Sequence, residues 1–212
     1  MVIGLMGASG EGKTTSLRNL DPSTTFIFDS DKKGLPWKGW KNQYNSKNKN
    51  YVKSDFAEIA LQYLQRCNTE KEFAHVKTFV VDTINGIMVA DEMRRSKDKG
   101  YDKWQDLAAC IYGLVDYALT VRDDLNVIFI CHTQTERDDS GYNYTRIKTS
   151  GKKLDKIVLE SKFNTVLLAK CVDGHYVFET QSNFSSAKSP AGALELTEEN
   201  DMAVILDKLK EY

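Results

Sequence analysis

Residues 2–15 read Val2-Ile3-Gly4-Leu5-Met6-Gly7-Ala8-Ser9-Gly10-Glu11-Gly12-Lys13-Thr14-Thr15, and this stretch decides the fold of the chain. The apolar run 2–6 is long enough for one buried strand, and residues 16–20 are predicted to be helical. A glycine-rich segment lies between them. Glycines let the backbone curl so that successive N–H groups face one point, and the first turn of the following helix adds a positive dipole. This arrangement predicts a loop that binds phosphate groups.

The glycine-rich segment matches the complete Walker A pattern, Gly-x-x-x-x-Gly-Lys-Thr. The pattern predicts binding of a nucleoside triphosphate and Mg²⁺, with the Lys13 ammonium at the β- and γ-phosphates and the Thr14 hydroxyl as a ligand of the metal. The candidate nucleotide-binding residues are all members of this loop: Gly7, Ala8, Ser9, Gly10, Glu11, Gly12, Lys13, Thr14 and Thr15.

A metal ion bound with a nucleotide needs a second anchor, an acid at the end of a neighbouring buried strand. Asp82 follows the apolar run Phe79-Val80-Val81 and is the candidate for this position. Asp29 also ends a predicted buried strand and is its main competitor.

Length and composition exclude several classes of protein. The chain has 212 residues, which predicts a single domain over 1–212. Lysine and arginine total 29 against 30 acidic residues, so the net charge of −1 excludes a polycation, and any nucleic-acid contact must come from local basic patches. No apolar run is long enough to span a membrane, so no membrane partner is expected. The four cysteines lack a CxxC pair, which argues against zinc, and we expect a reduced, cytoplasmic protein.

Apolar strand candidates alternate with helical patterns along the chain. Strands are predicted at 24–29, 76–82, 126–131, 164–170 and 177–179, and helices at 56–67, 84–95, 102–122 and about 198–210. Asp55 is the expected cap of the first of these helices, and the C-terminal helix is expected to have an acidic first turn. Strands without polar alternation are buried on both faces, so we expect an α/β domain with a mostly parallel central sheet flanked by helices.

The motifs resemble the RecA-like branch of P-loop ATPases, in particular small phage-encoded, core-only members grouped with recombinases and single-strand annealing ATPases. The resemblance covers roughly residues 2–170. It implies that the bound nucleotide is ATP and, for a phage protein, it implies the cytoplasm of a bacterial host. It implies that Asp31, in the run Phe28-Asp29-Ser30-Asp31, is the catalytic carboxylate that polarises the attacking water. The family more often has glutamate there, and the missing methylene predicts slower hydrolysis. It also implies a catalytic γ-phosphate sensor after the fourth strand, for which His132 is the candidate and Gln134 the neighbouring option.

Two basic segments with aromatic residues are candidate contacts for single-stranded DNA. An insertion at about 32–53 contains seven lysines and no acid, and a polar loop is predicted at about 133–152, where the resemblance implies DNA contact. Cations that follow a phosphate backbone, beside rings that stack on bases, are typical of single-strand binding. The alternative for the insertion is a solvated segment whose tryptophans pack on the core. The DNA-binding candidates are Lys38, Trp40, Lys41, Tyr142, Tyr144, Arg146 and Lys148.

The sequence therefore predicts an ATPase that acts on single-stranded DNA in recombination, annealing or replication. A ring or filament of identical subunits is implied by the resemblance alone, with Lys152, Lys153 or Arg146 as alternative contacts to a neighbouring subunit's nucleotide. A second hypothesis, favoured by the short Asp31 side chain, is a nucleotide-dependent DNA-binding module with negligible hydrolysis. A third is a nucleotide kinase, which requires an arginine-rich lid; the candidate lid residues are Arg94, Arg95 and Arg137.

Overall fold

The structure, a computed structural model, describes residues 1–97, 102–137, 140–150 and 158–212. The described strands are β1 (Val2–Gly7), β2 (Thr25–Asp29), β3 (Tyr51–Lys53), β4 (Thr78–Asp82), β5 (Asn126–Arg137), β6 (Asn143–Ile147), β7 (Thr165–Val172), β8 (His175–Glu179) and β9 (Thr197–Glu199). The described α-helices are α1 (Trp40–Gln43), α2 (Ala57–Thr69), α3 (Ile84–Arg94), α4 (Asp102–Ala118) and α5 (Met202–Lys208). Short 3₁₀ turns cover Thr15–Asn19, Lys71–Phe73 and Leu159–Lys162.

The strands form one sheet in the order β3-β2-β4-β5-β1-β7-β8-β9. Pairing is parallel from β3 to β7 and antiparallel at β8 and β9, and β6 pairs antiparallel with the end of β5. The predicted fold class, an α/β P-loop domain with a mostly parallel sheet and flanking helices, is confirmed. Because β5 lies between β1 and β4, one strand separates the glycine-rich loop from the strand that ends at Asp82.

Both faces of the sheet are buried, each against its own hydrophobic cluster. Successive residues of a strand point to opposite faces. In β1, Met6 therefore belongs to the cluster under α2, α3 and α4, and Leu5 belongs to the cluster under the 3₁₀ turn at 15–19 and α5. This double burial explains why the strands show apolar runs without polar alternation.

The helix predicted at 16–20 is only a 3₁₀ turn, Thr15–Asn19. The next residues, Leu20-Asp21-Pro22, end it, because the fixed backbone of proline disfavours helical geometry in the residue before it. A turn of this length has a small dipole, so the phosphate-binding potential of the glycine-rich loop comes mainly from its own N–H groups.

The predicted cap of α2 is wrong. Phe56 occupies the capping position and makes no side-chain bond to the helix, whereas the Asp55 carboxylate pairs with Lys32 at 2.6 Å and Arg94 at 3.1 Å. Two cations on other elements therefore compete successfully for a carboxylate that a local pattern assigned to the helix.

The predicted C-terminal helix at about 198–210 begins too early. Residues Thr197–Glu199 form the edge strand β9, and α5 begins at Met202 without acidic residues in its first turn. Asp201 is its cap, with the side chain accepting the N–H of Ala203 at 2.9 Å. Pairing with β8 outweighs the helical tendency of the two glutamates.

The polar loop predicted at about 133–152 is wrong over most of its described length. Strand β5 continues to Arg137 and pairs with β6, from Thr133 opposite Ile147 to Arg137 opposite Asn143. We refer to β5 from Thr133 onward, β6 and their turn as the hairpin. Its strands are polar on both faces, so they lack the apolar alternation that reveals a half-buried strand in a sequence. Lys152 and Lys153 lie outside the described residues.

The aromatic residues of the insertion at about 32–53 pack inward. Tyr44 is buried, the Trp37 ring lies 6.1 Å from it edge-on, and the Trp40 ring lies 5.3 Å from the ring of Tyr51. These rings thus agree with the alternative in which the tryptophans of the insertion pack on the core. Among the DNA-binding candidates of this segment, Lys38 and Lys41 are exposed, and Trp40 is half-buried.

Candidate nucleotide-binding site

The carboxyl ends of the central parallel strands bring the predicted site residues to one edge of the sheet. Gly7 at the end of β1 pairs with His132 of β5, and Asp82 at the end of β4 pairs with Ile130 of β5 and Asp29 of β2. In open α/β sheets, ligands bind in the crevice outside this edge. The sheet register alone therefore assembles a loop, a histidine and two carboxylates that are far apart in sequence.

The glycine-rich loop is closed around its own lysine. The Lys13 ammonium donates hydrogen bonds to the carbonyl oxygens of Gly7 at 2.8 Å and Ala8 at 2.6 Å. Burial lowers the pKa of Lys13, and the Asp82 carboxylate opposes that shift. A triphosphate offers this partly desolvated cation stronger partners than two neutral carbonyl groups, so we expect the ammonium to move to the phosphates on binding.

Gly12 has to be glycine for two reasons. Its φ of 81° lies in the left-handed region, and a Cβ atom there would lie 2.8 Å from the Tyr176 ring and 3.1 Å from the Asn200 side chain. The tip of the loop is thus packed tightly against β8 and the β9–α5 connection.

Thr14 and Asp82 form the pair that a magnesium ion requires. The Thr14 hydroxyl donates to Asp82 Oδ2 at 2.8 Å, and the carboxylate is only 1% exposed. The other oxygen, Oδ1, is buried without a hydrogen-bond partner. A buried carboxylate with an unsatisfied oxygen next to a hydroxyl is the oxygen donor set that Mg²⁺ prefers, so these two residues fit the ion.

In the free protein, the buried Asp82 carboxylate makes the free energy of unfolding depend on pH. Burial raises its pKa to about 6 although the hydrogen bond from Thr14 lowers it. A raised carboxyl pKa means that the folded state holds the proton more tightly than the unfolded chain does. The contribution of Asp82 to the free energy of unfolding is therefore largest at low pH, and it is lost as the pH rises through about 6.

We expect Asp82→Asn to increase the stability of the nucleotide-free and metal-free protein at neutral pH. The gain is at most about 3 kcal/mol, because one unit of pKa shift corresponds to about 1.4 kcal/mol. Asparagine keeps an acceptor for Thr14 and removes the buried charge. Urea unfolding on both sides of pH 6 checks the sign, since the gain should vanish as the pH approaches 4. Parallel stability profiles of the two proteins would contradict it.

Asp29, the competing candidate for the metal position, accepts hydrogen bonds from other residues. Its Oδ2 atom accepts the N–H of Gly34 at 2.8 Å and the hydroxyl of Tyr51 at 2.5 Å. The carboxylate holds the turn that follows β2 against β3. These contacts leave Asp82 as the carboxylate that faces Thr14.

Asp31 lies one layer behind the cavity wall. Its Oδ2 atom pairs with Lys33 at 2.6 Å, and its Oδ1 atom accepts the hydroxyl of Thr83 at 3.3 Å. Lys33 and Thr83 both line the cavity that surrounds the glycine-rich loop, whereas Asp31 does not. A catalytic role for Asp31 therefore requires Lys33 to turn away from it when nucleotide binds.

His132 lies beside the phosphate loop, and Gln134 does not. The imidazole lines the cavity, where burial lowers the pKa of His132 and the Lys13 cation lowers it further. A neutral imidazole retains both a donor and an acceptor nitrogen at neutral pH. Gln134 instead donates to Glu136 at 2.7 Å on the hairpin.

A cavity of about 1070 Å³ surrounds the loop, a size suited to a nucleotide. Its far wall consists of residues that the sequence analysis did not single out, namely Arg18, Tyr176 and Asn200. The Arg18 guanidinium donates to the Asn200 carbonyl at 3.0 Å, which joins the 3₁₀ turn to the β9–α5 connection. No local sequence pattern predicts this wall, because its residues come from both ends of the chain.

The hairpin carries the second group of DNA-binding candidates, and the structure adds an aromatic residue to it. The rings of Tyr142 and Phe184 stack with centroids 5.6 Å apart, although Tyr142 is 59% and Phe184 60% exposed. Tyr144 is also exposed, and Lys148 follows β6 on the exposed surface. Phe184 is the sole aromatic residue in the polar stretch 181–186, the one signal by which the sequence could have revealed it.

Arg146 is engaged in ion pairs within the chain. Its guanidinium lies 3.6 Å from Glu136 and 3.7 Å from the buried carboxylate of Glu160. These contacts attach the hairpin to the 3₁₀ turn at Leu159–Lys162, which gives this candidate a structural part as well.

The loop, the lysine and the Thr14–Asp82 pair define a P-loop nucleotide-binding protein. The family model described as an AAA domain matches residues 1–189, and the chain belongs to this family of AAA-type P-loop ATPases. Membership indicates nucleotide binding and ATPase chemistry. No curated protein matches the chain significantly. The described helices are all too short or too polar to cross a lipid bilayer.

Proposed function

We propose that this protein is a RecA-like ATPase that binds single-stranded DNA on its hairpin and hydrolyses ATP in recombination, annealing or a related replication step. The observation that carries the proposal is the continuity of β5. The same strand places His132 beside the phosphate loop and, from Thr133 onward, builds the hairpin with its cations and exposed rings. A change at the nucleotide thus has a direct covalent route to the proposed DNA surface.

The proposed chemistry divides among five side chains. Lys13 stabilises the negative charge that develops on the transferred phosphoryl group. Asp31, once released by Lys33, accepts a hydrogen bond from the attacking water and orients it. Thr14 and Asp82 hold Mg²⁺, which supplies further stabilisation of phosphate charge when it is bound. His132 senses the γ-phosphate from β5.

The exposed ring pair supports a nucleic-acid partner. Phe184 has a φ of 54°, a left-handed conformation that costs a bulky residue on the order of 1–3 kcal/mol. The loop nevertheless holds it there, because the Phe184 carbonyl accepts the N–H of Thr145 in β6 at 2.9 Å. The result is a pair of stacked rings exposed to solvent, on which unpaired bases of any sequence can stack.

We expect Phe184→Ala and Tyr142→Ala each to weaken binding of an oligothymidylate roughly 5- to 150-fold, which corresponds to the contribution of about 1–3 kcal/mol from one stacked base. Fluorescence anisotropy at a fixed salt concentration measures this. Tyr212→Ala is the matched control, since that ring is 62% exposed but lies at the far end of the chain, and it should bind like the parent. Equal losses in all three variants would contradict the assignment of the ring pair.

The proposed function is tested by ATP turnover with and without single-stranded DNA. Turnover stimulated by DNA supports the ATPase, whereas DNA binding without turnover supports the nucleotide-dependent binding module. Phosphorylation of a nucleoside monophosphate would support the kinase hypothesis. The contacts of two candidate lid residues give the kinase hypothesis little support. Arg94 pairs with Asp55, Arg95 pairs with Asp91, and neither arginine lines the cavity.

A further inference from the structure

We infer that Asn85 is a positioning residue that couples the nucleotide site to the hairpin. The inference rests on the proposed function in one respect, that the hairpin is the surface whose position matters. It assigns to a single buried amide the task of passing the nucleotide state from α3 to β5 and β6.

The Asn85 side chain joins three elements. It is only 5% exposed, its Oδ1 atom accepts the N–H of His132 at 2.7 Å, and its Nδ2 atom donates to the carbonyl of Lys148 at 2.8 Å. The ring of contacts is closed by the Lys148 N–H, which donates to the His132 carbonyl at 2.8 Å. One amide on α3 thus bonds to the two residues that flank the base of the hairpin, His132 in β5 and Lys148 directly after β6.

The other end of this connection lies in the nucleotide site. Helix α3 begins two residues after Asp82, and Thr83 caps it by accepting the N–H of Gly86 at 3.0 Å. The same Thr83 hydroxyl contacts Asp31 at 3.3 Å, and Thr83 lines the cavity. The first turn of α3 is therefore bonded on one side to the proposed catalytic carboxylate and on the other to the hairpin.

The hairpin is suited to respond to such a connection. Among the residues of β6, only Ile147 at its base is buried, and Thr145 exchanges backbone hydrogen bonds with the segment 184–186, so polar contacts hold the hairpin more than apolar packing does. Its base has a second buried polar contact, since Glu160 accepts the N–H of Ile147 at 2.7 Å. We expect a small shift of α3 against this fixed contact to change the hydrogen bonding at the base of the hairpin, which amide exchange detects.

The residue type at position 85 is specific to this task. An asparagine side chain offers one acceptor and two donors at the same reach. Aspartate keeps the acceptor for His132 but loses the donor to Lys148, so Asn85→Asp breaks the bond to Lys148 alone. Asn85→Ala breaks both connections.

A matched control exists elsewhere in the chain. Asn68 accepts the N–H of Arg122 at 2.8 Å and donates to the Tyr117 hydroxyl at 3.0 Å, so it also bridges a backbone donor and an oxygen. It lies on α2, and neither it nor its partners line the cavity. Asn68→Asp makes the same amide-to-carboxylate substitution at a site without connection to the nucleotide, where the Tyr117 hydroxyl can turn to donate to the new carboxylate.

The experiment is hydrogen exchange of the full chain, with and without saturating Mg²⁺ and a non-hydrolysable ATP analogue, and without DNA. In the parent we expect the analogue to change the exchange rates of the amides at 143–147 by about 5-fold or more, the usual lower range of coupling between two sites. In Asn85→Asp and Asn85→Ala this response should fall below about 2-fold, whereas Asn68→Asp should respond like the parent. Circular dichroism shows whether each variant is folded.

Two results overturn the inference: a hairpin of the parent that ignores the analogue, or a full response in folded Asn85 variants. A general loss of structure is distinguished by Asn85→Asp, which keeps the bond to His132, and by exchange in α2, which should not change. Because DNA is absent from the assay, failure of the proposed DNA binding leaves the outcome intact. DNA-stimulated turnover tests the proposed function separately.

Discussion

Lys13→Ala is expected to reduce ATP hydrolysis by roughly 1,000-fold, because loss of one group that stabilises transition-state charge costs about 10²–10³ in rate. The variant also loses the main cationic partner of the bound triphosphate within the loop, so nucleotide affinity should fall with it. The fold should survive. In the free protein the ammonium only bridges two carbonyl groups of its own loop, and burial lowers its pKa, which shows that the charged form is poorly solvated there.

Isothermal titration with an ATP analogue and a turnover assay measure the two effects. Lys77→Ala is the matched control, since Lys77 precedes β4 at the opposite edge of the sheet and pairs with exposed Asp124. It removes one positive charge from the chain without touching the site. Turnover of Lys13→Ala within a factor of a few of the parent would remove the basis for placing the nucleotide at this loop.

Asp31→Asn is expected to slow hydrolysis by roughly 10²–10⁴-fold, the usual contribution of a positioned general base, with nucleotide binding largely preserved. Asparagine retains an acceptor for Thr83 but orients a water poorly and loses its attraction for Lys33. Single-turnover kinetics at saturating ATP separate the chemical step from binding.

Asp31→Glu provides the conservative comparison. The added methylene gives the carboxylate the reach of the glutamate that is more usual at this position, so turnover should equal or exceed that of the parent. Complete loss of activity in Asp31→Glu, or full activity in Asp31→Asn, would show that another group orients the water.

The local elements that depend on apolar runs could be predicted well from the sequence. β4 is observed at Thr78–Asp82, within the predicted 76–82, and the paired strands at the end of the sheet match the predicted 164–170 and 177–179 closely. Such runs are informative because burial on both faces leaves little room for polar residues. The hairpin was predicted as a loop because its strands are stabilised by pairing rather than by burial.

The sequence by itself determined that there is a phosphate loop at Gly7–Thr15 and a buried strand ending at Asp82, since both follow from residue type and spacing. Only the tertiary structure shows that Asp82 contacts Thr14 and that Asp29 is instead bonded to a tyrosine on β3. The same holds for Asn85, whose partners lie 47 and 63 residues away. Hydrogen bonds between distant segments depend on sheet order, and sheet order leaves no periodic trace in the chain.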